Sequence, residues 1–199
     1  MDLSTEALQP FVPCISEPGP KILVHVGAGS PNGRPLPECF RDDRWIEVRV
    51  DINPQAQPNI VASVTNMPGV PTERAHAVLS SHTHEHLDDH EVEQGFAEVF
   101  RVLRPGGFLL MNVPDLTEIA RMVVDGRADE VLYTSKAGPV RPMDMLFGHQ
   151  DSIKAGNHYM AHRTGFTADR LQRFCVEAGF TDVRVRPGQQ WDLWAVAVK

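Results

Sequence analysis

The chain has 199 residues, of which 19 are Lys or Arg and 26 are Asp or Glu, so its formal net charge is −7. Hydrophobic residues make up 42% and charged residues 23%, which is typical of a globular domain and excludes a disordered or fibrous chain. The acidic balance disfavours nucleic-acid binding, and no apolar run approaches the ~20 residues that span a bilayer. The opening MDLSTEALQP lacks a basic start and an apolar core, so we expect a cytoplasmic protein.

The first half of the chain contains short apolar runs separated by turn signals. Residues 1–20 hold four prolines and are predicted to form an N-terminal lead-in. Residues 22–26 are apolar and largely β-branched, which is typical of a strand buried on both faces, and Gly27, Ala28 and Gly29 follow as a tight turn. Three more strands are predicted over residues 45–50, 59–62 and 75–80.

The second half alternates helical and strand patterns. Apolar residues recur at helical spacing over residues 92–103, the RPGG sequence ends this helix, and a fifth strand is predicted over residues 108–113. Asp115 and Thr167 each begin a further predicted helix.

The tail, TDVRVRP and WDLWAVAV, predicts two strands with no helix between them. We therefore predict one α/β domain over residues 1–199. Its core is a doubly wound, mostly parallel, seven-stranded Rossmann-like sheet with an antiparallel C-terminal edge hairpin. The polar face of that hairpin could pair across a homodimer.

Residues 126–165 do not fit the alternation of strands and helices. They contain five glycines, two prolines and three histidines, and a short helix is predicted near residues 142–147. A long polar stretch in a compact domain is usually functional, so we expect this inserted segment to act as a lid over the carboxyl ends of the strands and to contact substrate.

The first turn and the second strand predict a nucleotide site. Glycines leaving a buried strand let backbone N–H groups approach a ligand, and Asp51 follows Gly27 by 24 residues, where a carboxylate can accept both ribose hydroxyls. These features predict an adenosine-type ligand with a free 2′-hydroxyl. An NAD-dependent oxidoreductase is one alternative, but the third glycine of its pattern is replaced by Asn32.

The order VHVGAGS, VDINP, IVASVTNMP, AVLSSHTHEHL, EVFRVLRPGGFLLMNVPDL resembles the class I S-adenosylmethionine-dependent methyltransferases, specifically the small bacterial type-11-like group. The resemblance implies S-adenosylmethionine as cofactor and methyl transfer to a small molecule by in-line displacement, with the O, N or C acceptor left open. It also implies a set of cofactor-binding residues: Gly27, Ala28, Gly29, Asp51, Ile52, Ser63, Val64, Ser81 and His82.

The histidines support two different hypotheses. His82, His84, His86 and His90 lie close enough in sequence to suggest a metal-dependent enzyme. The resemblance accounts for His82, Glu85 and His86 without an ion, so we predict no metal.

We predict instead that a general base or cavity wall comes from His82 or His86. In the inserted segment, His149 is a third catalytic candidate. The predicted substrate contacts there are Arg141, His158, His162 and Arg163. A protein that binds the cofactor without catalysis is the remaining alternative.

Overall fold

The computed structural model describes residues 12–13, 18–33 and 35–199. The predicted lead-in over residues 1–20 therefore lies mostly outside the described residues. A seven-stranded sheet forms the centre of the molecule, in the order β3-β2-β1-β4-β5-β9-β8. Its strands are β1 (Lys21–Val26), β2 (Trp45–Asp51), β3 (Ile60–Val61), β4 (Ala75–Ser81), β5 (Leu103–Pro114), β8 (Thr181–Pro187) and β9 (Asp192–Val198).

The pairing of the strands confirms the predicted fold class. Strands β1 to β5 are parallel to one another, whereas β9 runs antiparallel to β5 and β8 antiparallel to β9. Strand β5 begins at Leu103, directly after the preceding helix, and so contains the RPGG turn that we predicted as a separate stop. Because the carboxyl ends of parallel strands meet at one edge, the turns after β1 to β4 lie together.

The described helices are short, and each directly follows a polar residue. They are α1 (Val92–Val102), α2 (Leu116–Val124), α3 (Pro142–Phe147), α4 (Gln150–Lys154) and α5 (Ala168–Glu177). As predicted, Asp115 caps α2 by accepting from the Thr117 N–H at 2.9 Å, and Thr167 caps α5 by accepting from the Arg170 N–H at 3.2 Å. None of these helices has the length and apolar composition of a membrane span.

The two faces of the sheet are covered differently. One face packs against α1 and α5, where Phe96 stacks on Phe174 with ring centroids 5.7 Å apart. The other face carries a smaller cluster around Phe40 and Phe108, which stack at 6.0 Å. Between β1 and β2 the described residues form only a 3-10 turn, Glu38–Phe40, because the prolines at positions 31, 35 and 37 oppose a helix.

The inserted segment folds into small elements of its own. Strands β6 (Tyr133–Ser135) and β7 (Gly138–Val140) pair as an antiparallel hairpin, and α3 and α4 follow. A third apolar cluster of Ile119, Val140 and Met145 attaches these elements to α2. The segment therefore has a packed anchor on the rest of the molecule.

An ion pair on α1 holds the loop before β4 in place. Glu98 accepts from Arg101 and from the Met67 N–H, and Arg101 donates to the Met67 and Val70 carbonyls at 3.2 and 3.0 Å. The Arg101 hydrogen bond is the main cause of the lowered pKa of Glu98. Both side chains thus connect the helix to backbone groups of residues 67–70.

Replacing Glu98 by glutamine is expected to lower the free energy of unfolding by about 1–2 kcal/mol, because charge-assisted hydrogen bonds to Arg101 and a half-buried N–H are weakened. A carboxyl with a lowered pKa stabilises the fold above its ordinary pKa and loses that contribution as the pH falls. The difference between E98Q and the unmodified protein should therefore shrink on acidification, as measured by urea unfolding.

Glu130 provides the matched control, since it pairs with Arg127 at the same i,i+3 spacing but at the surface. E130Q should leave stability unchanged. Equal losses in E98Q and E130Q would contradict a specific role for the Glu98 contacts.

Candidate active site

The main cavity, called the first cavity here, lies at the carboxyl ends of β1, β2 and β3 and has a volume of about 640 Å³. Its walls come from the turns that leave these strands, from the loop after β4, and from residues 157–160 and 163 of the inserted segment. In an open parallel sheet this is the position where ligands bind, between strands whose connections leave in opposite directions.

The turn after β1 requires glycine at its first position. Gly27 has a φ of +61°, and a Cβ there would lie 2.2 Å from Thr83 Oγ1. The Thr83 hydroxyl donates to the Val26 carbonyl at 3.2 Å, so the loop after β4 closes directly onto this turn. Gly29 has a φ of +59° and open space around it. The backbone of the turn is consequently accessible to a ligand.

Asp51, at the end of β2, is held against the glycine turn by the backbone. Its Oδ2 accepts from the Gly29 N–H and its Oδ1 from the Asn53 N–H, both at 2.8 Å. Each carboxylate oxygen has a further lone pair, so both can still accept hydrogen bonds from a ligand in the first cavity. Arg49 also donates to the Gly29 carbonyl, a contact that we did not predict from sequence.

The other predicted cofactor residues line the remaining walls. Ile52 is 51% exposed and presents an apolar surface to the first cavity. Ser63 and Val64 lie opposite, after β3. The Ser63 hydroxyl is bonded to the Thr65 hydroxyl at 2.8 Å. This part of the cavity can accommodate a flat apolar group with polar contacts at its edge.

A second cavity of about 600 Å³ lies on the other side of the glycine turn. It shares Gly27, Gly29, Ser30 and His82 with the first cavity, and Ala28 and Ser81 line this second one instead of the first. Its remaining wall includes Leu36, Arg41, Gln189, Gln190 and Trp194. Sequence reasoning missed all five, and the last three reach this edge only because β9 pairs antiparallel with β5. The glycine turn and His82 thus separate two adjoining spaces.

His82 is fixed at this boundary by hydrogen bonds to both ring nitrogens. Nδ1 lies 3.1 Å from Glu85 Oε1, and Nε2 lies 3.0 Å from the side-chain amide nitrogen of Asn112. Because the amide nitrogen donates, Nε2 accepts, and Nδ1 therefore carries the hydrogen that is donated to Glu85 Oε1. Burial opposes ionisation of Glu85, but the hydrogen bond from His82 and the nearby His86 and His162 outweigh it and lower its pKa to about 2.

The four histidines of the SHTHEHLDDH sequence do not converge on one point. His84 is buried, bonded to the Ser80 hydroxyl at 2.9 Å and packed on Phe96 at 4.8 Å. Burial lowers its pKa to about 4, so it is neutral. His90 is exposed. The metal hypothesis based on these four residues is therefore wrong, because residues 84–86 form a 3-10 turn and not a strand or an α-helix.

Part of the inserted segment lines the first cavity. The lining residues of this segment are a 3-10 turn with the residue before it, Asn157 to Met160, and Arg163. An antiparallel bridge between Gly148 and Ala161 closes the segment next to this turn. Arg163 Nη1 donates to both oxygens of Asp88 at 3.1 Å. The predicted contact residues His158 and Arg163 thus lie at the cavity.

Two predicted site residues, His149 and Arg141, lie away from both cavities. His149 precedes α4, where its ring accepts from the Ser152 N–H at 3.3 Å and bonds the Ser152 hydroxyl at 2.8 Å. Arg141 precedes α3 and its backbone N–H donates to Asp144 at 2.9 Å. Neither residue lines either cavity. The His149 ring accepts from an N–H of α4, whereas at the start of α3 the Arg141 N–H donates to the Asp144 carboxylate.

His86 and His162 lie on either side of the junction between the inserted segment and the loop after β4. His86 lines the first cavity, whereas His162 lines a much smaller cavity of about 20 Å³ together with Glu85. Their rings meet edge to face at 4.8 Å. Burial is the main cause of the lowered pKa of His162. His162 therefore does not line the first cavity.

Comparisons with known proteins agree with this geometry. Residues 24–111 match the profile of a methyltransferase domain family. An S-adenosylmethionine-dependent methyltransferase from Methanosarcina mazei has a TM-score of 0.62 at 14% identity, covering 100% of this chain and 99% of its own. One from Archaeoglobus fulgidus has a TM-score of 0.59 at 13% identity, covering 91% and 87%.

A third solved structure contains ligands. The 1,6-didemethyltoxoflavin-N1-methyltransferase of Burkholderia thailandensis, with 1,6-didemethyltoxoflavin and S-adenosylhomocysteine bound, has a TM-score of 0.54 at 16% identity, covering 91% of this chain and 72% of its own. At these identities the structural matches establish the fold. No curated protein sequence matches the chain.

Proposed function

We propose that this chain, a class I S-adenosylmethionine-dependent methyltransferase, methylates a small molecule held in the second cavity. The observation that carries the proposal is the placement of Asp51, which lines the first cavity, against the glycine turn by hydrogen bonds to its two carboxylate oxygens. An acid at the end of the second strand, beside a turn without side chains, fits a ribose and an amino-acid tail.

The first cavity and the glycine turn, with Ala28 and Ser81 on the side of the second cavity, provide the residues that would hold the cofactor. Asp51 would accept hydrogen bonds from the ribose hydroxyls, while Ile52, Ser63 and Val64 would flank the adenine. The backbone of Gly27, Ala28 and Gly29, beside Ser81, would hold the methionine part. When bound, the cofactor supplies an electrophilic methyl group on a sulfonium. The fit rests on the open backbone at Gly29 and on the spare lone pairs of Asp51.

The second cavity is the proposed acceptor site because it adjoins the glycine turn on the side opposite the first cavity. In-line displacement needs the acceptor aligned behind the methyl carbon, at ~3–3.5 Å. Trp194 and Leu36 offer apolar walls, and Gln189, Gln190 and Arg41 offer polar ones. Such a site suits a small, partly apolar molecule with hydrogen-bonding groups, whose reacting atom is oxygen, nitrogen or carbon.

His82 and His86 remain the proposed histidines nearest the reaction. His82 borders both cavities, and its ring is immobilised by Glu85 and Asn112, so it would orient the acceptor as a fixed wall. A role as proton acceptor would require Nε2 to leave Asn112. His158 and Arg163 would contact substrate or cofactor from the inserted segment, which we propose as a lid.

Pairing of the edge strand β8 across a homodimer stays a prediction, which a measurement of the molecular mass in solution tests.

The function is tested by incubating the protein with methyl-labelled S-adenosylmethionine and a cell extract, and then separating small molecules, nucleic acid and lipid. We expect label in a small molecule, and no label in nucleic acid or lipid. Q190A should reduce labelling without changing the affinity for S-adenosylhomocysteine, because Gln190 lines only the second cavity. Binding of S-adenosylhomocysteine without any labelled product would contradict catalysis and favour the binding-only alternative.

A further inference from the structure

Glu85, His86 and His162 form a compact cluster where the loop after β4 meets the inserted segment. One potential ligand atom from each residue lies within 4.8 Å of the others. Glu85 and His86 are adjacent in sequence, whereas His162 comes from a segment 76 residues further along the chain. The fold, and not local sequence, brings these three side chains together.

The two histidine rings are oriented by backbone carbonyls. His86 Nδ1 lies 3.0 Å from the Ala161 carbonyl oxygen, and His162 Nδ1 lies 2.9 Å from the Met145 carbonyl oxygen. A carbonyl oxygen can only accept, so each Nδ1 carries the hydrogen and each neutral ring keeps a lone pair on Nε2. Histidines that bind metals almost always donate their other ring N–H to a carbonyl or carboxylate in this way.

The carboxylate of Glu85 adds a third acceptor without a donor. Glu85 is 1% exposed, and while Oε1 receives the His82 hydrogen bond, the buried Oε2 has no hydrogen-bond partner among the described residues. An unsatisfied buried carboxylate oxygen is costly. The cluster therefore brings together two neutral imidazoles, each with a lone pair on one ring nitrogen, and a carboxylate with an unsatisfied oxygen. A metal ion would bind a lone pair from all three groups at once, whereas a single proton would bridge only two of them.

We propose that Glu85, His86 and His162 bind one divalent transition-metal ion. Two imidazoles and a carboxylate are a common protein ligand set for Zn²⁺ and related ions, and three protein ligands leave an open coordination position. The adjoining cavity of about 20 Å³ has room for one water molecule as a further ligand. The ion would join the inserted segment, through His162, to the loop that carries His82. This inference does not depend on the proposed function.

The test uses full-length protein without a histidine tag, stripped of metal with a chelator and titrated with Zn²⁺ by calorimetry. We expect one ion per chain and a rise of several degrees in Tm, since a ligand that binds only the folded state stabilises it. Titration with Co²⁺ should give visible absorption bands of a four- or five-coordinate site. E85Q and H162N should each weaken Zn²⁺ binding by at least ~10-fold.

Exposed His90 and the α4-capping His149 provide the controls, and H90N and H149N should keep the affinity of the unmodified protein. If E85Q fails to fold, H86N and H162N, which alter half-buried residues, decide the question. Absence of stoichiometric binding, or unchanged affinity in H86N and H162N, would overturn the proposal. So would nitrogen NMR spectra showing either ring doubly protonated at neutral pH in excess Zn²⁺, since a proton would then occupy the site.

Discussion

Replacing Asp51 by asparagine is expected to weaken binding of S-adenosylhomocysteine by about 100-fold, measured by calorimetry. Hydrogen bonds from ligand hydroxyls to a charged carboxylate contribute roughly 1.5–3 kcal/mol each, and the amide cannot replace both. The amide also places its NH₂ group against the N–H of either Gly29 or Asn53, since both now donate to the carboxylate. The loss therefore combines weaker ribose contacts with a loosened glycine turn.

Asp43, an exposed carboxylate outside both cavities, is the matched control for this experiment. D43N should bind the ligand as the unmodified protein does. A comparison of Tm values separates loss of binding from loss of folding. Unchanged affinity in D51N would mean that this carboxylate does not hold the ribose.

The substitution Gly27→Ala is expected to abolish ligand binding and to destabilise the fold by about 2–4 kcal/mol. Two effects add: an L-residue at a φ of +61° costs roughly 1–2 kcal/mol, and the new Cβ overlaps Thr83 Oγ1 at 2.2 Å, which forces the loop after β4 away. Urea unfolding and calorimetry with S-adenosylhomocysteine measure the two losses separately.

Gly126 separates these effects, because it has a φ of +78° but open space where a Cβ would lie. G126A should therefore lose about 1 kcal/mol of stability and keep full binding. In the double variant G27A/T83A the closest two atoms are removed, so part of the stability should return. Equal behaviour of G27A and G126A would exclude the close approach of Thr83 as the reason for glycine.

The fold was predictable because the strands that form its centre are buried on both faces. Residues 22–26 and 75–80 are mostly apolar runs between turn signals, and the sheet places them side by side as β1 and β4. Boundaries were less predictable. Strand β5 starts at Leu103 because Leu103 pairs with Ala75 of β4, and the register is irregular across the RPGG sequence before regular pairing resumes at Phe108. Nothing in the local pattern reports that early pairing.

The position of the site was predictable where its residues directly follow neighbouring parallel strands. Gly27 and Asp51 leave neighbouring parallel strands, so their proximity follows from the order of the sheet. Trp194 and Gln190 could not be recognised in the same way, because they reach the second cavity only through antiparallel pairing of β9 with β5. The spacing of His84 suggested a ligand, but the 3-10 turn directs its side chain into the core, where Phe96 covers it.

The inserted segment shows a different reason for error. His149 and Arg141 have the side chains of catalytic or anion-binding residues, yet they stand at the starts of α4 and α3. The His149 ring accepts from the Ser152 N–H, and the Arg141 N–H donates to Asp144, so both positions belong to the hydrogen bonding of the helix starts. His162, by contrast, meets Glu85 and His86 across the fold, a contact that only the tertiary structure discloses.

A crystal structure of the protein with S-adenosylhomocysteine tests the central claim most directly. We expect ribose hydroxyls on the Asp51 carboxylate, the amino-acid end against the backbone of Gly27 and Gly29, and the sulfur atom beside His82. A ligand bound elsewhere, with the Asp51 oxygens in contact only with Gly29 and Asn53, would contradict it.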